Sequence, residues 1–136
     1  MRKLLLASAM SLLVSTATFA EDIKLGIIFG FTGPIESLTP DMAKGAEAAI
    51  AEVSASGALL NGSTVTGIRA DSTCVDSAVA TANAEKLITS DKVSGIIGAD
   101  CSGVTGAILA NVARANGMVM ISPSATSPGL STAEDD

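Results

Sequence analysis

One junction constrains this chain more than any other. The apolar run Val93-Ser94-Gly95-Ile96-Ile97 leads directly into Gly98-Ala99-Asp100-Cys101-Ser102-Gly103-Val104-Thr105, and behind it Ile108, Leu109 and Val112 recur at helical spacing. The pattern predicts a short buried strand that stops at Gly98–Asp100, turns, and starts a helix near Ser102. The first turn of a helix has N–H groups without intrahelical acceptors and a partial positive charge, so it suits an anion. After the next apolar run comes Ser122-Pro123-Ser124-Ala125-Thr126-Ser127-Pro128, a loop of small hydroxyls and accessible backbone. In a parallel sheet both loops leave the carboxyl ends of strands and lie side by side, where open α/β sheets bind ligands.

The rest of the chain repeats the alternation. Ile23–Gly30 reads as a strand buried on both faces, followed by the loop Phe31–Leu38. Thr39-Pro40-Asp41 combines an N-cap, an early proline and a first-turn acid, with Met42, Ala46, Ala49, Ile50 and Val53 as the apolar face and Gly57 as the stop. Asn61-Gly62 is a turn, and Thr64–Ala70 alternates like an edge strand. Asp76 opens a second helix whose stripe is Ala78, Val79, Ala82, Leu87 and Ile88 and whose end lies near Ser90-Asp91. Asn116-Gly117 ends the third helix, and Met118–Ile121 is a fourth strand. The order β-α-β-α-β-α-β predicts an α/β fold: a doubly wound parallel sheet with helices on both faces. After Pro128 no further element closes the layer, and residues 131–136 read as a chain cut rather than finished.

Residues 1–20 have the form of a secretory signal peptide, with Arg2-Lys3, the apolar Leu4 to Val14 and small residues around a cleavage point near Ala20. The apolar core is too short to span a bilayer. Removing this segment takes away two bases and no acid, so the formal charge falls from −6 to −8. That balance argues against nucleic acid or an anionic membrane as a partner. The 116 residues from 21 to 136 suffice for one domain. Cys74 and Cys101 remain, and for an exported chain one disulfide is the default, with two free buried thiols as the alternative.

Catalytic chemistry finds little support. Gly26, Gly30 and Gly33 do not match the dinucleotide fingerprint, and Val104 stands where a phosphate-binding loop needs lysine. The chain contains no histidine, which removes the usual base for Ser102 or Cys101 and any imidazole metal ligand. Asp100-Cys101-Ser102-Gly103 also lacks the leading glycine of a nucleophile elbow. No cofactor or metal is called for. Glu36, Asp41, Asp71, Asp76 and Asp100 suit capping and a solvated surface better than ligand contact or a cation site.

Taken in order, Ile23-Lys24-Leu25-Gly26, Thr32-Gly33-Pro34, Lys44-Gly45-Ala46-Glu47, Asp71…Cys74, Ile97-Gly98…Cys101-Ser102 and Met120–Pro128 resemble the periplasmic solute-binding proteins of branched-chain amino acid ABC transporters. The resemblance covers 23–130. It implies a type I periplasmic binding fold, with residues 21–136 as an incomplete N-terminal, flavodoxin-like lobe of a two-lobed protein in the periplasm. Such a protein closes over a solute in the interlobe cleft and delivers it to a permease. The resemblance implies that Ser102 holds the solute carboxylate, that Thr126 binds carboxylate and ammonium, and that the Ser124 carbonyl receives the ammonium. Asp100 and Cys101, beside Ser102 in the same turn, are candidate ligand contacts with it, and Cys74 and Cys101 match the family disulfide. Leu38 stands where amino acid binders place an aromatic, and Gly103-Val104 replaces a serine-rich run, so the implied solute is a small amino acid or amide rather than one named compound. Two other readings compete: a secreted α/β enzyme built on Ser102 and Cys101, and the ligand-sensing lobe of a receptor or regulator, which uses the same fold.

Overall fold

The computed structural model describes residues 20–135, so nearly all of the expected leader, residues 1–20, lies outside the described residues. The strands are β1 (Asp22–Phe29), β2 (Thr64–Asp71), β3 (Gly95–Gly98) and β4 (Met120–Ile121). They form one parallel sheet in the order β2-β1-β3-β4. The crossovers are the helices α1 (Thr39–Ala55), α2 (Ser77–Thr89) and α3 (Ser102–Ile108), the last extended by a π-helical turn to Ala113 and a 3-10 turn to Asn116.

The chain first steps from β1 out to β2 and then turns back across β1 to β3. Right-handed crossovers therefore put α1 on one face and α2 and α3 on the other. Side-chain packing follows this division. Ile27 and Phe29 join Ala43 and Ile50 of α1. Ile28 and Ile96 join Ala80, Ala84 and Leu87 of α2 and Val104 and Ile108 of α3. Both faces of β1 are covered, which is why its apolar residues run on without alternation. Neighbouring strands β1 and β3 send their following loops to opposite faces, the arrangement that opens a crevice at the carboxyl edge of such a sheet.

Several expectations shift. Leu38, not Thr39, occupies the N-cap of α1. Thr39 is fully buried and its hydroxyl donates instead to the Gly30 carbonyl at 2.9 Å, closing the loop after β1. In α2 the buried residues are Ala80, Ala84 and Leu87, whereas Ala78 and Ala82 face solvent. An alanine-rich helix offers several equivalent stripes, and packing against β1, β2 and α3 selects one. In α1, Ala43 is buried while Val53 stays 44% exposed. Asp76 caps α2 as expected, accepting the N–H groups of Ala78 and Val79.

Gly98 ends β3 at φ +134°, a conformation that side chains rarely adopt. A Cβ there would lie 2.2 Å from the Ile28 carbonyl oxygen. The tight exit from the strand therefore requires glycine.

Candidate ligand-binding site

The turn after β3 is held from below by a buried carboxylate. Asp100 is 3% exposed, and its oxygens accept the Gly30 N–H at 2.7 Å, the Ser72 hydroxyl at 3.1 Å and the Cys101 N–H at 3.0 Å. It thereby joins the ends of β1, β2 and β3. Its side chain is committed to these internal donors, so its contribution is to position the rim rather than to offer a carboxylate to a ligand. The Cys74–Cys101 disulfide, with Cα atoms 5.2 Å apart, adds a covalent tie between the loop after β2 and the same turn. The alternative of two free thiols is excluded in this structure.

The loop after β4 is stitched to this turn. The Ser122 hydroxyl donates to the Ala99 carbonyl and accepts the Ala125 N–H at 2.8 Å. The Ser124 hydroxyl donates to the Asp100 carbonyl at 2.8 Å. Ser102 is the first residue of α3, not its N-cap, which is Cys101. The Ser102 oxygen accepts the N–H groups of Thr126 at 3.0 Å and Ser127 at 3.1 Å. Ser102 and Thr126 therefore stand side by side on adjoining loops, and the Thr126 N–H is spent on Ser102 rather than left open.

This pattern fixes what the Ser102 hydroxyl can do. A hydroxyl has two lone pairs and one proton. Both acceptor positions of Ser102 are used, and among the described residues its proton has no acceptor. The Ser102 hydroxyl can only donate outward, as can the N–H groups of the first turn of α3. The Thr126 hydroxyl makes no hydrogen bond among the described residues. Two neighbouring loops thus each carry a hydroxyl donor without an acceptor among the described residues. No base touches the Ser102 oxygen, whose partners are two backbone amides.

On the far side of the crevice, the loop after β1 is anchored to β2. The Thr32 hydroxyl and N–H both donate to Asp71, which also accepts the Thr73 N–H at 2.9 Å. Burial pushes the Asp71 carboxyl up, but these hydrogen bonds outweigh it and hold the group below the ordinary carboxylate range. Leu38 ends this loop and is 61% exposed. Sequence reasoning missed Ser72 and the anchoring role of Ser122. A serine directly before a proline is a turn signal, and it could have marked Ser122.

A family model described as periplasmic binding protein matches residues 22–134. The Leu/Ile/Val/Thr-binding protein of Salmonella typhimurium is 34% identical over 128 residues, covering 94% of this chain and 34% of the relative. The chain belongs to the periplasmic binding protein family. The Leu/Ile/Val-binding protein of Escherichia coli K12 is 33% identical over the same length. Among solved structures, the branched-chain amino acid transporter substrate binding protein of Streptococcus pneumoniae, in complex with isoleucine, superposes with a TM-score of 0.74. That alignment is 34% identical and covers 82% of this chain and 31% of the other. The chain spans about a third of the length of the relatives it matches. As a member of this family it is related to solute-binding proteins rather than enzymes. Among the described residues no group of His, Cys, Asp or Glu is arranged to hold a metal, and no helix is long and apolar enough to cross a membrane.

Proposed function

We propose that this chain supplies the N-terminal lobe of a two-lobed, periplasmic solute-binding protein, exported by its first 20 residues and serving an ABC importer. The solute is a small amino acid or amide. Its carboxylate or carbonyl oxygen takes the Ser102 hydroxyl and the first-turn N–H groups of α3, with the Thr126 hydroxyl beside them. The Ser124 carbonyl receives an ammonium or amide N–H, and Leu38 lines the side-chain end. The second lobe closes over the solute, and the loaded protein delivers it to the permease.

One observation carries this reading: the Ser102 oxygen is saturated by two backbone donors, so its proton is reserved for something outside the lobe. The relatives named for leucine, isoleucine and valine support the solute class. Calorimetric titration of the two-lobed protein with leucine, valine, short amides and urea tests it. Saturable binding of at least one of them is expected. Failure to bind any solute bearing a carboxylate or amide would overturn it.

A further inference from the structure

Asn61 stands apart from the other asparagines of the chain, which are Asn83, Asn111 and Asn116. The side-chain amide of Asn83 donates to the Asp71 carbonyl at 2.8 Å, that of Asn111 to the Ala107 carbonyl at 2.8 Å, and that of Asn116 to the Val112 carbonyl at 2.8 Å. The last two bonds run back along the helix to the preceding turn, which holds each amide away from the nitrogen of the residue that follows it. Asn61 is exposed, and its side chain makes no hydrogen bond among the described residues.

The following residue matters because its nitrogen is the nucleophile nearest to an asparagine side chain. Asn61 and Asn116 both precede glycine, which has no Cβ to hinder that approach. At Asn116 the nucleophile is engaged, since the Gly117 N–H donates to the Arg114 carbonyl at 3.1 Å. Asn61 and Gly62 instead form a turn between α1 and β2 in which both residues are left-handed, at φ +60° and +71°. That turn lies at the amino edge of the sheet, opposite the carboxyl edge where Ser102 begins α3.

We propose that Asn61 is a site of spontaneous deamidation, a covalent modification independent of the solute site. The Gly62 nitrogen attacks Cγ of Asn61 and gives up its proton. The new N–Cγ bond closes a cyclic imide while the Cγ–Nδ2 bond breaks, and ammonia leaves with that proton. Water then opens the ring. Attack at Cγ gives aspartate, and attack at the main-chain carbonyl gives isoaspartate, whose backbone runs through the side chain and is one carbon longer. Either product makes the chain one unit more negative.

The test ages the folded chain in mildly alkaline buffer beside a sample unfolded in guanidinium chloride, and follows the asparagine peptides by mass spectrometry. In the folded chain the Asn61 peptide is expected to convert to the acid in two separable forms, aspartate and isoaspartate. The Asn116 peptide should convert at least about fivefold more slowly, the retardation from one hydrogen bond that must first open. In the unfolded sample the two should convert at similar rates, because both precede glycine. An Asn61 that remains an amide in the folded chain overturns the inference. Asn116 converting as fast as Asn61 in the folded chain overturns it too, because the hydrogen bonds would then select nothing. Aspartate appearing at position 61 without isoaspartate rules out the imide and has the same consequence.

Discussion

The Ser102 hydroxyl oxygen accepts the Thr126 N–H at 3.0 Å across 24 residues of chain. The same oxygen takes the Ser127 N–H, so one side chain fastens the loop after β4 to the first turn of α3. Ser102→Ala should leave both amides open to solvent. Their exchange with deuterium, followed by NMR, should quicken about tenfold for one lost hydrogen bond each. Ala125, held by Ser122, is the internal control and should not change. Unchanged exchange at Thr126 and Ser127 would show that the loop is held in another way.

The disulfide ties the loop after β2 to the turn that begins α3. Breaking it, by reduction or by Cys74→Ser with Cys101→Ser, should cost about 3–4 kcal/mol on chain-entropy grounds for a loop of this length. Urea unfolding with and without reductant measures the loss. An unfolding free energy unaffected by reductant would contradict the structural role given to the bond.

Gly98→Ala should destabilise the fold by at least about 2 kcal/mol, because the added carbon meets the Ile28 carbonyl in a backbone conformation alanine resists. Gly103→Ala is the matched control, since a Cβ there meets nothing within 4 Å. Similar midpoints in thermal unfolding for the two variants would disprove the strand-exit requirement.

Asp71 makes stability depend on pH with a defined sign. Its folded carboxyl is held below the ordinary value by the Thr32 and Thr73 bonds. The unfolded value is about 3.9, so the stabilisation is complete above that pH and is lost as pH falls through the folded value. Asp71→Asn should lower stability at pH 7 and narrow its gap to the unaltered protein below about pH 4. Denaturant unfolding at pH 7, 4 and 3 checks this, and a gap that widened on acidification would reverse the assignment.

Much of this architecture could be read from residue patterns. The run from Val93 to Ile97 into Ser102, the Asp76 cap and Gly117 at a left-handed φ of +59° are local signals, and each appears where expected. Other features depend on groups far apart in sequence. Thr39 looked like a cap because Thr-Pro-Asp often is one, but the Gly30 carbonyl offered its hydroxyl a buried partner. Asp100 looked like a ligand contact by its position, and only the folded chain brings Gly30 and Ser72 to its oxygens from 70 and 28 residues away. The alanines of α2 carry too little contrast in size or polarity for the sequence to indicate which of them face the sheet.

Titration of leucine into the two-lobed protein and its Ser102→Ala variant tests the central claim most directly. The unaltered protein should bind one solute, and the variant should lose about 1–3 kcal/mol of affinity with the loss of a charge-assisted hydrogen bond. Equal affinity in a variant with an unchanged fold would show that the Ser102 hydroxyl only fastens two loops and holds no solute.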